Sequence, residues 1–111
     1  MSMDKSLLAG STTMLVLKLL DGQDMYGYQM NEELSRRSER AFALKTGTLY
    51  PLLLRLERRG LLAAEYRAGS GGPSRKYYRL TPDGTQYLSE FTAAWQSASA
   101  AVNRIMQNKE D

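Results

Sequence analysis

Between residues 46 and 59 the chain carries Thr48, Tyr50, Arg55, Arg58 and Arg59, and a further pair of cations, Arg75 and Lys76, follows a glycine-rich stretch. These side chains are suited to holding anions rather than to breaking bonds. A guanidinium is a planar fork that makes two parallel hydrogen bonds, to a phosphate or to the edge of guanine. The sequence has no histidine and no cysteine. The usual general base, the commonest metal ligand, a thiol nucleophile and disulfides are thereby excluded. The carboxylates are scattered, and the adjacent Glu32 and Glu33 would point about 100° apart on a helix. An enzyme is not expected, and neither a metal nor a cofactor.

The net charge is only +3, but it is unevenly spread. Residues 36–79 hold eleven Lys/Arg against three Asp/Glu, residues 1–35 two against five, and residues 80–111 two against four. A centre of +8 between acidic flanks fits a surface for a polyanion. Charge alone does not separate that reading from an ordinary solvated basic face.

The elements that would position these cations follow from periodicity. Leu7 to Leu20 predicts a helix, with Leu8, Thr12, Leu15 and Leu19 on one stripe, Met14 and Leu17 widening it, and apolar residues beyond one face. Gly22 ends it. Asp24 is placed as the cap of a second helix from Tyr26 to about Arg37. Residues 38–44 connect to a third helix, with Thr46 as its cap and Gly60 as its stop. Leu61 to Arg67 and Arg75 to Leu80 alternate as two strands, and residues 68–74 between them read as a mobile loop. Thr81-Pro82 opens a last helix. Along it Leu88, Phe91, Trp95, Ala98, Val102 and Ile105 recur in heptad fashion. The expected fold is mainly α with a small β-hairpin: a winged helix-turn-helix over residues 1–80 and a long C-terminal dimerisation helix over residues 81–111, packed on the same domain.

On the third helix Leu49, Leu52, Leu53 and Leu56 share the core side. Thr48, Pro51, Arg55, Arg58 and Arg59 lie across from them, with Tyr50 and Leu54 on a flank. The early residues of a recognition helix meet base edges, which places Thr48 and Tyr50 near bases and Arg55 near a phosphate or base. A wing needs flexible backbone and a cation at its root, a role for Arg75 and Lys76. Tyr26 and Thr46, at the starts of the second and third helices, complete the DNA-contacting set.

Tyr26-Gly27-Tyr28-Gln29-Met30, Gly47-Thr48-Leu49-Tyr50-Pro51-Leu52-Leu53 with Arg55-Leu56-Glu57, Gly60-Leu61-Leu62, and Arg75-Lys76-Tyr77-Tyr78-Arg79-Leu80-Thr81 with Gly84 together resemble the PadR family of transcriptional regulators, in its short subgroup with one C-terminal helix. The resemblance runs from about Leu15 to Trp95. It implies a dimeric repressor, often of stress, detoxification or efflux genes, whose last helix packs against the partner's first. That agrees with the two-faced first helix and the heptad stripe. At the wing tip the chain departs from the family, with Pro73-Ser74 where many members carry an arginine.

The dimer set is therefore Leu8, Leu15, Leu88, Phe91, Trp95, Ala98, Val102 and Ile105. Trp95, the single tryptophan, has two readings. It packs in the dimer core, or two symmetry-related copies sandwich a small planar aromatic effector, with Met14 and Phe91 lining the space. A winged-helix protein-interaction module without DNA binding, using Tyr50 and Leu54 as an apolar patch, is the alternative. With no membrane span and no signal peptide in view, a cytoplasmic protein bound to double-stranded DNA as a homodimer is expected.

Overall fold

A computed structural model of the chain describes residues 11–69 and 71–107. The elements run α1 (Thr12–Leu19), β1 (Met25–Tyr26), α2 (Gly27–Arg37), α3 (Thr46–Arg58), β2 (Leu62–Gly69), β3 (Gly72–Leu80) and α4 (Pro82–Gln107). Residues 7–10 of the predicted first helix, Leu8 among them, lie outside the described residues. The strands form one antiparallel sheet in the order β1-β3-β2. Three helices followed by a hairpin make this a winged helix-turn-helix with a long C-terminal helix.

The core is built from one side of every element. Val16, Leu17, Leu19 and Leu20 come from α1 and its end, Met30 and Leu34 from α2, and Leu49, Leu52, Leu53 and Leu56 from α3. Met25, Leu62 and Tyr78 close it from the sheet, and Leu88 from α4. Each such side chain, fully buried, contributes about 1.5–3 kcal/mol. The projection of α3 is thus confirmed, since its four core-side leucines are all under a tenth exposed.

The region read as a loop is ordered differently. The hairpin ladder runs from Leu62 opposite Leu80 to Gly69 opposite Gly72, with a register irregularity between Arg67 and Gly69. Glycine and proline near a hairpin end are compatible with a bulged ladder, and the bulge absorbs the backbone that composition alone assigns to a loop. β1 also went unpredicted, because two residues carry no periodicity. It exists through its partner: Met25 pairs with Tyr78 and Tyr26 with Tyr77.

Two predicted caps are corrected. Asp24 does not cap α2; it pairs with Arg67 across the sheet at 2.5 Å. The start of α2 is held instead by Gln29, whose Oε1 accepts from the Tyr26 N–H at 3.1 Å. Thr46 is the first residue of α3, and Lys45 stands at its N-cap. Thr81 does act as a cap: its Oγ1 accepts from the Gly84 N–H at 3.0 Å and donates to the Gly60 carbonyl at 2.6 Å. This joins the end of α3 to the start of α4.

The α2–α3 connection is stitched by side chains. Asn31 donates to the Leu44 carbonyl at 2.6 Å and accepts from the Leu44 N–H at 2.9 Å. Ser38 Oγ accepts from the Phe42 N–H at 3.0 Å. Between them Glu39 and Arg40 adopt φ of 53° and 69°, a left-handed conformation that side chains adopt at a steric cost. This connector sets the angle at which α3 leaves α2.

Candidate nucleic-acid interface

With Leu49, Leu52, Leu53 and Leu56 buried, α3 leaves Thr46, Thr48, Tyr50, Leu54, Arg55 and Arg58 exposed, and Arg59 follows at its C-cap, also exposed. Tyr50 and Leu54 are 45% and 41% exposed, so an aromatic ring and an aliphatic side chain interrupt the polar face. Tyr50 reaches back over the first residue of α2. A β-carbon added at Gly27 would lie 2.6 Å from the Tyr50 hydroxyl and 2.7 Å from its ring. Glycine at 27 therefore makes room for Tyr50 to lie against α2.

Tyr26, next to Gly27, carries the surface onward to the wing. Its hydroxyl accepts a hydrogen bond from Arg75 Nη1 at 2.9 Å, and the Arg75 guanidinium carbon stands 4.5 Å from its ring centre. Arg75 thus contacts Tyr26 across 49 positions, and Tyr50 lies against Gly27, the residue next to Tyr26. Tyr26 also meets its cross-strand partner Tyr77 edge-on, with ring centres 5.3 Å apart.

Lys76 sits on the opposite face of β3. Its ammonium donates to Glu57 Oε1 of α3 at 3.0 Å and lies 5.2 Å from the Tyr78 ring centre. Its hydrogen bond to Glu57 holds the Lys76 pKa above the ordinary lysine value. Tyr78 is pushed up by burial, with the nearby lysine opposing. Arg67 is held charged by Glu65 and Asp24. On α2, hydrogen bonds from Arg36 and then Arg37 hold the Glu33 carboxyl down at about 2.

The seven candidate DNA-contacting residues thus fall into two groups. Tyr26 and Arg75 are in contact, and Tyr50 lies over Gly27 next to Tyr26, with Thr46, Thr48 and Arg55 also exposed on α3. Lys76 is engaged with Glu57. The acidic anchors Glu57 and Asp24 and the connector Asn31 were missed, because each acts on a residue far away in sequence. Alternation did place Tyr77 and Tyr78 on opposite faces, and Tyr78 is the buried one.

The aromatic-effector set is not gathered within one chain. Met14 lines a groove of about 590 Å³ between α1 and α4, with Leu15, Lys18, Leu88, Thr92 and Gln96. Phe91 and Trp95 are not among its lining residues; Phe91 meets Tyr87 edge-on at 5.8 Å, and Trp95 is 40% exposed. Of the dimer stripe, Leu88 is buried, Phe91 half-buried, and Ala98, Val102 and Ile105 exposed. Among the described residues no cluster of His, Cys, Asp or Glu could hold a metal, and no helix is long and apolar enough to cross a membrane.

Comparison with known proteins points the same way. Residues 16–90 match the transcriptional regulator PadR-like family. A transcriptional regulator of Mycobacterium tuberculosis is 39% identical over 79 residues, covering 71% of this chain and 70% of that protein. A PadR family transcriptional regulator from Eggerthella lenta superposes with a TM-score of 0.84 at 35% identity, over 95% of this chain and 89% of that one. A PadR-like regulator from Bacillus cereus gives 0.81 at 32% identity, over 94% and 99%. The family match over residues 16–90, on a fold shared with transcriptional regulators rather than enzymes, identifies the chain as a member of the PadR-like family of transcriptional regulators.

Proposed function

We propose that this regulator is a repressor that binds a palindromic operator on double-stranded DNA as a homodimer. Residues 1–80 form the DNA-binding unit and residues 81–111 the dimerisation arm. Each α3 enters a major groove, the two grooves about 34 Å apart. Thr48 and Tyr50 read base edges, Thr46 and Arg55 anchor beside them, and Arg75 with Tyr26 grips the flanking backbone. Lys76 adds a weaker phosphate contact, because Glu57 already offsets part of its charge.

The observation that carries this reading is that Tyr50 of α3 lies over Gly27, next to the Tyr26 that holds Arg75 of the wing, which supports helix and wing acting together. The exposed α4 stripe supports the dimer. Val102 and Ile105 are 56% and 74% exposed, and a heptad seam without a partner leaves apolar area in water.

Selection of bound duplexes from a random library tests the reading, because a dimer enriches inverted repeats. Salt-sensitive binding that is lost in Arg55→Ala with Lys76→Ala supports it. No salt-sensitive binding to any duplex overturns it, and favours the protein-interaction module, for which Leu54 and Tyr50 supply the apolar patch. The exposure of Trp95 supports an aromatic effector held between two subunits. Quenching of its emission by planar cationic dyes tests that part, and no response across a broad panel refutes it.

A further inference from the structure

The outer face of the sheet carries two arginines whose surroundings differ. Arg67 is gripped by acids, with Nη2 2.5 Å from Asp24 Oδ2 and 2.8 Å from Glu65 Oε1. Arg75 meets neutral groups, namely the hydroxyl and ring of Tyr26, and among the described residues no carboxylate pairs with it. Between the two arginines stand two tyrosines. The Arg67 guanidinium carbon lies 4.4 Å from the Tyr77 ring centre, and Tyr77 meets Tyr26 edge-on at 5.3 Å. The order across the face is Asp24, Arg67, Tyr77, Tyr26, Arg75.

We propose that Tyr77 is a positioning residue for DNA binding, and that the Asp24–Arg67 pair anchors it so that Tyr26 presents Arg75 to a phosphate. The inference rests on the DNA-binding reading above. Tyr77 does not touch the DNA. Its ring is held on one side by an arginine whose charge is already neutralised, and on the other it supports the ring on which Arg75 rests. A long arginine on a wing loses much rotamer freedom when it binds phosphate. Holding it beforehand over a ring, with one N–H already committed to a hydroxyl, lowers that cost. The remaining guanidinium N–H groups stay available. The same geometry explains why two arginines on one face have different work: neutralised Arg67 supports, and unneutralised Arg75 binds.

The test is a double-mutant cycle on DNA affinity, measured by fluorescence anisotropy against a duplex taken from the random-library selection. Tyr77→Leu is expected to weaken binding by about two- to fivefold, the scale of an exposed cation–π contact. Tyr77→Phe keeps the ring, and the lost hydroxyl makes no hydrogen bond among the described residues, so it retains wild-type affinity. In an Arg75→Ala background Tyr77→Leu has no further effect. Arg75→Ala itself lowers the slope of log affinity against log salt by about one, whereas Tyr77→Leu leaves the slope unchanged. Circular dichroism and melting of each variant show whether it is folded, and affinities are compared at temperatures where all are. An undiminished Tyr77→Leu effect in the Arg75→Ala background overturns the proposal while leaving DNA binding intact. So does a Tyr77→Phe variant as weak as Tyr77→Leu. If the wild-type chain enriches no duplex, both readings fall together.

Discussion

Lys76 of the wing and Glu57 of α3 form an ion pair 3.0 Å long, each side chain about a third exposed. This pair ties the wing to α3. It also offsets a charge that the wing would otherwise offer to phosphate. Glu57→Gln is expected to destabilise the fold by about 0.5 kcal/mol and to steepen the salt dependence of DNA binding by about one charge. Because the folded pKa of Lys76 is raised above 10.5, the tie is in full force below that value and fades as pH rises through the higher folded one. Urea midpoints of both proteins at neutral pH and above pH 10 check the sign. A Glu57→Gln variant with reduced salt dependence would contradict the offset.

Two glycines predict opposite outcomes. At Gly84 a β-carbon would lie 2.0 Å from the Leu61 carbonyl oxygen, which is backbone at the joint of α3 and α4. Gly84→Ala should cost about 2–3 kcal/mol, seen as a lowered melting temperature. At Gly27 the obstacle is the far end of the Tyr50 side chain. Gly27→Ala should change stability by less than about 1 kcal/mol, yet displace Tyr50 and weaken DNA binding. Equal melting losses in the two variants would refute the distinction.

The exposed end of α4 predicts the assembly. Val102→Glu with Ile105→Glu alters two side chains that are already in water in the single chain, so helix content should be unchanged. In a dimer both carboxylates would be buried without partners, which costs several kcal/mol. The dissociation constant should rise at least about a hundredfold, and sedimentation should show monomers. Wild-type sedimentation of the double variant would rule out the arm.

Acid should remove one contribution at the end of α2. Glu33 accepts from Arg36 and Arg37 at 2.7–3.0 Å, and its pKa falls from 4.5 to about 2. A depressed carboxyl stabilises the fold above its ordinary value and loses that effect as pH falls through the folded one. The difference in urea midpoint between wild type and Glu33→Gln should therefore be present at pH 6 and shrink steadily below pH 4.5. A difference that grows in acid would refute the assignment.

Much of the exposed face of α3 was legible from spacing. The leucines of α3 repeat every three or four residues, so their burial and the exposure of Tyr50 and Arg55 followed directly. The opposed faces of Tyr77 and Tyr78 came from strand alternation. Composition misled where a local rule met a tertiary partner: residues 68–69 and 72–74 looked like loop but extend a bulged ladder, and Asp24 looked like a cap but pairs with Arg67.

The sequence alone determined the order of helices, the core face of α3, the basic centre and the resemblance to the family, because helix and strand periods and residue types are local properties; on α1 the stripe of Thr12 and Leu15 is only half-buried, and Val16, Leu17 and Leu20 are in the core instead. Only the tertiary structure decided which cations stay unpaired. Arg67 meets Asp24 43 positions away, Lys76 meets Glu57 19 away, and Arg75 meets Tyr26 49 away. Pairings at that separation follow from how the sheet closes on α2 and α3. No periodicity within one element encodes them.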